Sequence, residues 1–354
     1  MDAFKKYYAQ WVSEVGAGWN RFWFSHSDVF PLAVMRILVG LAAIYFVASY
    51  SLDLVRWFGK DGLLPMDVVT TINTELDITN PDITRLELPP MRPTYLSLVD
   101  GAATLWIIHL IGMAILAAFT VGAYTRVTSI LSFVVILSYI NRAPILTGQF
   151  EPVLTAMLFY LCIAPAGYCL SIDQRLREKR NNDEDAPKLE SLANKKSMVA
   201  TIALRLMQVH LSLLYVVMGL SKLIGMTWID GSGIWMLLAR SESRILDVSF
   251  LHRVPEIVFL WSHAIIIFEI AFGILIWNRH ARPLLLVLAV PMWLSLGLVT
   301  GLMTFSLMML VASLIFVSPE SLRAGWNWTA AKLRINLQVD SEESVDAELE
   351  KVAV

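Results

Sequence analysis

Between residues 205 and 222 the side chains Arg205, Gln208, Ser212, Tyr215, Gly219 and Lys222 recur at alternating steps of three and four. That spacing puts them on one face of a helix, and at about 1.5 Å per residue the stripe runs roughly 25 Å, close to the thickness of bilayer hydrocarbon. Lys222 ends the stripe and is the leading candidate for catalysis. In an apolar, partly dry pocket, desolvation disfavours the ammonium form, and a neutral lysine can act as a general base. A plainer reading stands beside it: Lys222 anchors the outer end of its helix, and Arg205 and Lys222 snorkel to opposite interfaces. The stripe favours the first reading. A Lys or Arg at mid-bilayer costs about 2.5–3.5 kcal/mol on insertion scales, so such a face lines a bundle interior or a wet cavity.

Other residues can be placed around this lysine. Gly225, Trp228, Asp230 and Gly231 follow it and read as a tight outward turn with an aromatic interface anchor, in which Asp230 is an ordinary loop carboxylate. Arg36 and Glu269 sit deep inside two other apolar runs. A buried charge needs a partner, so Arg36 is expected to meet either Glu269 or helix carbonyls, in a bundle-locking or a functional role. The segment Ser138 to Gln149 contains Asn141 and Arg142 and brings polar groups to the same face as Lys222. An outward-opening pocket bounded by the two regions follows, with Arg142 able to hold an anion, unless these are simply solvated loop residues. His109, His210 and His263 lie in different runs without metal-ligand spacing, and Cys162 and Cys169, seven apart in one run, read as small packing side chains on a common helical face. No metal site is expected. Phosphate-binding glycine loops, nucleophile elbows and zinc-protease helices are absent from the sequence.

The elements that must position these groups are membrane helices. Hydrophobic residues make up 56% of the 354, charged residues only 16%, and the charges cluster between long apolar runs. The runs read as spans are Leu32 to Tyr50, Ala102 to Val121, Val127 to Ile140, Phe150 to Cys169, Val199 to Leu223, Ile257 to Trp277, Pro283 to Thr300 and Leu302 to Val317. The expected fold is therefore an all-α integral membrane bundle of about eight helices, since the runs lack the alternating polarity of barrel strands. Residues 1–30 have aromatics at helical spacing, Phe4, Tyr8, Trp11 and Trp19 among them, and read as an amphipathic helix on the membrane surface without a cleavable signal. Residues 31–318 form the membrane domain, and 319–354 an amphipathic stretch with an acidic tail. The 172–197 linker is rich in Lys and Arg and splits the bundle into two sets of four. By the positive-inside rule it is cytoplasmic, as are both termini and the Arg279/Arg282 turn. A net charge of −2 gives no reason to expect a nucleic-acid partner. The expected partners are the lipid bilayer and an exported peptide or protein. The expected location is the cell membrane, of the bacterial inner-membrane type.

Over most of its length the pattern resembles the horizontally transferred transmembrane (HTTM) domain family, which is similar to the membrane part of vitamin K-dependent gamma-carboxylases. The resemblance is carried by Pro31 to Gly40, the Asn141-Arg142 exit and Pro165-Ala166-Gly167. It is strongest from Gln208 through Tyr215 to Lys222 and on to Trp228-Ile229-Asp230-Gly231, and Glu269 suits the family's acidic position. The resemblance implies that Lys222 is a base that deprotonates a hydroquinone in an outward-facing pocket, with a reduced quinone of vitamin K type as cofactor. Arg36, Asn141, Arg142, Gln208, Tyr215, Trp228 and Glu269 are the candidate pocket residues. The chain departs from the carboxylases in two respects: residues 141–149 contain no histidine, and the stretch after residue 318 is too short for their large C-terminal soluble domain, so none is expected. Carboxylation of clotting-type substrates is therefore not expected. The second reading is a non-catalytic binding or assembly component of a peptide-maturation or export pathway. A transporter would call for broken helices in corresponding halves and a mid-membrane site, and neither is clear in the sequence.

Overall fold

A computed structural model describes residues 2–69, 71, 94–99, 101–181, 196–238 and 249–332. It is all-α apart from a two-residue antiparallel pairing of Ser27–Asp28 with Lys196–Ser197. The chain divides into a unit over Met1–Phe316 and a second over Val317–Val354. Of the second unit, residues 319–332 are helical, and the rest of the expected tail lies outside the described residues.

The first unit opens with α1 (Asp2–Phe24), whose side chains Tyr7, Tyr8, Trp11, Val15 and Trp19 are exposed. Further helices follow among the described residues: α2 (Phe30–Ser49), α3 (Leu54–Phe58), α4 (Ala102–Val121), α5 (Thr125–Arg142), α6 (Phe150–Ile163), α7 (Ile172–Asn181), α8 (Met198–Ile224), α9 (Met226–Ile229), α10 (Gly233–Leu238), α11 (Pro255–Leu275), α12 (Ala281–Thr300) and α13 (Met303–Ser313). Five helical segments are long and apolar enough to cross a membrane: Phe30–Phe58, Ala102–Val121, Met198–Ile224, Pro255–Leu275 and Ala281–Thr300. Their outer faces carry large apolar side chains such as Leu41, Ile107, Leu110, Ile267 and Val287, more than half exposed, which only a hydrocarbon solvent would suit.

Three of the expected runs are shorter or more polar. α5 turns Thr128, Ser129, Ser132 and Ser138 inward, which lowers its apolarity although its length is 18 residues. Met303–Phe316 is a short apolar helix after the turn at Gly301, where the split was expected. α6 stops at Ile163 after 14 residues, well before Cys169. Pro165 explains this: Ala164, which precedes it, is driven into an extended conformation (ψ 141°), which ends the helix. Cys162 therefore lies on the helix and Cys169 in the turn beyond it, so the two do not share a helical face.

That early stop fixes where Arg36 goes. Buried in α2, its guanidinium donates to the carbonyls of Thr120, Ala166, Cys169 and Leu170, all of which have left regular helical pairing. Of the two partners expected for Arg36, carbonyls rather than Glu269 are realised. Gly122 ends α4 in the left-handed region (φ 75°), and a Cβ there would lie 2.7 Å from Arg36 Nη1, so only glycine admits the clamp. The start of the 172–197 linker is helical, and Asp173 caps the N-terminus of α5 by accepting from the Tyr124 amide, the Thr125 amide and the Thr125 hydroxyl at 2.7–2.8 Å. Residues 182–195 of the linker lie outside the described residues.

The most extensive helix pair is α8 with α11. Gly219 faces Ile270 and Glu269, and Gly273 faces Val216 and the Ser212 carbonyl, so the two backbones approach as closely as small residues allow. This close approach places residue 222 opposite residue 269.

Candidate functional site

Lys222 lies in the last turn of α8, and its Nζ is 2.8 Å from both carboxylate oxygens of Glu269. Glu269 is 1% exposed and the Lys222 side chain 16%, so the pair is nearly withdrawn from water, with the lysine on the accessible side. Nζ also sits 5.2 Å from the centre of the Trp228 ring and 3.4 Å from the Met218 carbonyl. Trp228 is held there by the turn beyond α8. Its short helix packs against Gly233, and Asp230 accepts from the Ser232 amide and hydroxyl to close the turn. These two bonds hold the Asp230 carboxyl below its ordinary range, which marks it as a turn-forming carboxylate.

The ion pair forms part of the wall of a cavity of about 580 Å³. Gly148 and Gln149 line the opposite side together with Pro152 and Val153, while Trp293, Thr300, Phe305 and Ser306 contribute from α12 and α13. The segment after α5 and the end of α8 thus bound one pocket. Ser306 is 1% exposed, and its hydroxyl has no hydrogen-bond partner among the described residues, which leaves it available to a molecule in the cavity.

The remaining sequence candidates are distributed around this centre. Tyr215 is fully buried one layer behind the cavity, stacked on Phe272 at 4.0 Å and bonded through its hydroxyl to Trp293. Gln208 donates to the Ile315 carbonyl and accepts from Arg205, whose guanidinium lies 4.4 Å from the Phe22 ring of α1. The lower stripe therefore stitches the bundle together and does not line the cavity. Asn141 and Arg142 do not line it either. Arg142 is 2% exposed and lies against the Phe58 ring. One of its nitrogens is 3.4 Å from the Phe58 carbonyl, and Nε and Nη1 have no partner among the described residues. It does not reach the cavity, because Phe58 of α3 packs against its guanidinium. Arg36 does not line the cavity either and stays in its carbonyl clamp.

The three histidines have separate local partners: His109 bonds Ser51 and Tyr139, His210 bonds Tyr160, and His263 bonds the Phe259 carbonyl. No group of three metal-ligating side chains occurs among the described residues. Three cavity-side residues escaped the sequence reading: Trp293, Thr300 and Ser306. The only signal they offered was a hydroxyl on each side of the Gly301 turn. Glu151 was missed too; it is 8% exposed and accepts from the Gly148 amide at 2.8 Å, shaping the loop that lines the cavity.

Fold and site together define an all-α protein whose apolar helices suit a lipid bilayer and which carries a buried lysine–glutamate pair on a cavity wall. No family model matches the chain, and no curated protein and no solved structure matches it.

Proposed function

We propose that the chain is a multi-pass membrane protein of the HTTM type, related to the membrane part of vitamin K-dependent gamma-carboxylases, and that it is a membrane enzyme. In this reading it crosses the cell membrane about eight times, with both termini and the 172–197 linker cytoplasmic, and the Lys222 cavity opens outward. The observation that carries the catalytic reading is the Lys222–Glu269 contact at 2.8 Å on the wall of a cavity large enough for a small substrate. A structural ion pair has no need of an adjoining cavity, or of an unpartnered serine within it.

The residues present fit a reduced quinone. Trp228 and Trp293 provide aromatic faces, Lys222 and Glu269 would hold one oxygen, and the free Ser306 hydroxyl would reach another polar atom. Such a group would supply reducing equivalents. The chain's own contribution is to bind it, exclude water and move a proton at the lysine–glutamate pair. An exported peptide is the substrate class that suits an outward-facing site.

The test is Lys222→Ala in the full chain, assayed in the pathway it serves after its thermal unfolding has been shown to match wild type. Loss of pathway function is expected, and normal function in the folded variant would sink the catalytic reading. Mass spectrometry of material co-purified with the wild-type protein would identify a quinone directly.

A second reading, a non-catalytic binding or assembly component, draws support from the stripe itself. Arg205, Gln208 and Tyr215 are committed to contacts that hold helices together. Under that reading Lys222→Ala changes stability and leaves the pathway running.

A further inference from the structure

The reading of the cavity as an active site raises the question of which group accepts the proton, and the inference here rests on that reading. A lysine base needs a free lone pair. In this site Nζ donates to both Glu269 oxygens at 2.8 Å and lies 5.2 Å from the centre of the Trp228 ring, so it is engaged as a donor and a cation and presents no free lone pair. An ammonium cannot take up a further proton. The carboxylate can.

We infer that Glu269 is the proton acceptor of the site and that the Lys222 ammonium is the group that holds the oxyanion left behind. The ligand class is a neutral molecule with a weakly acidic hydroxyl. When it binds, its O–H bond breaks, an O–H bond forms on Glu269, and the Lys222 ammonium turns from the carboxylate to the new oxyanion. The ligand and pair sum to zero charge before and after, and no electrons are transferred. Charge neutrality matters because the pair is nearly withdrawn from water, where a net charge is expensive. It also sets specificity: a permanent anion binding without a proton would leave the cavity negative, whereas a protonated hydroxyl does not.

The surroundings agree with this assignment. Among the described residues lining the cavity, Lys222 and Glu269 are the only ionisable side chains. Tyr215, the other ionisable group that senses Glu269, already has its hydroxyl bonded to Trp293, with Ser313 at 3.5 Å. Ser306 offers a hydroxyl to a second polar atom of the ligand.

The experiment uses 4-nitrophenol as probe and the full chain in a lipid nanodisc. Binding heats are measured at about pH 8, where the free probe is anionic, in two buffers of different ionisation enthalpy, so that the difference counts protons taken up. The wild-type protein should take up close to one proton per probe bound. Glu269→Gln should bind the phenolate with no proton uptake, and Lys222→Met should lose binding. Wild-type binding without proton uptake, or no binding at all, overturns the inference even if neither variant folds. Proton uptake retained in Glu269→Gln overturns it as well, because it returns the acceptor role to Lys222. The outcome is separable from the enzyme reading: a proton-coupled site in a protein whose pathway runs without Lys222 would keep the proton assignment and remove the catalysis.

Discussion

The indole of Trp293 donates a 2.6 Å hydrogen bond to the hydroxyl of Tyr215, joining a residue that lines the cavity to one fully buried in the polar stripe of α8. The bond ties the cavity wall to the stripe, so the shape of the site depends on packing behind it. Tyr215→Phe keeps the ring stacked on Phe272 but leaves the Trp293 N–H buried without an acceptor, which should cost about 1–3 kcal/mol. Thermal unfolding of the detergent-solubilised protein reads this loss. Adding Trp293→Phe should cost less in the Tyr215→Phe background than in wild type, because the bond is already gone.

The α8–α11 seam should be intolerant of added volume. A Cβ on residue 273 would lie 2.7 Å from the Ser212 carbonyl and 2.4 Å from a Val216 methyl, and the former is backbone that cannot step aside. Gly273→Ala should destabilise by about 1–3 kcal/mol, the range for overpacked contacts. Because the seam sets the Lys222–Glu269 distance, probe binding should weaken along with the melting temperature. An unchanged melting temperature would show that the helices separate freely.

Arg36 should not be replaceable by lysine. Its forked guanidinium reaches carbonyls in the segment after Pro165, at Ala166, Cys169 and Leu170, and at the end of α4, whereas a single ammonium cannot span them. Arg36→Lys should strand buried carbonyls at a cost of about 1–3 kcal/mol. The check is urea or thermal unfolding, with Arg126→Lys, which is on the exposed side of α5, as the control expected to be silent.

The cap on α5 should be sensitive to acid. Burial pushes the Asp173 carboxyl up, but the hydrogen bonds from Thr125 and Tyr124 and the charge of Arg177 outweigh it, and the group sits below its ordinary value. A carboxyl lowered on folding stabilises above its unfolded value and loses that contribution as pH falls through the lowered one. Protection of the Tyr124 and Thr125 amides, taken as the ratio of intrinsic to observed exchange rate at each pH, should therefore fall on acidification in the wild-type protein. In Asp173→Ala that protection should be low throughout, with no acid-dependent step.

Much of the membrane architecture was legible because a bilayer imposes long-range rules on composition. A helix that crosses about 30 Å of hydrocarbon must be apolar over its whole length, and its neighbours in sequence suffice to reveal that. Each apolar run contains a helix, though the fourth is helical only to Ile163 and five helical segments are long and apolar enough to cross a membrane, and the polar stripe on α8 was readable because a 3.6-residue period is a local property. The end of α6 was misjudged because one proline preceded by an extended residue outweighs the hydropathy around it.

What the chain's sequence determined by itself was the class of molecule, the helices and the candidacy of Lys222. Tertiary structure alone decided its partner. The sequence offered Glu269 only to Arg36, but in the fold it meets Lys222, because Gly219 and Gly273 let α8 and α11 close on each other while the Pro165 turn offered Arg36 a set of carbonyls. Which charge meets which is settled by close approach between residues 47 positions apart, and no local pattern encodes that distance. Only the folded bundle converts a lysine on a stripe into half of a buried ion pair on a cavity wall.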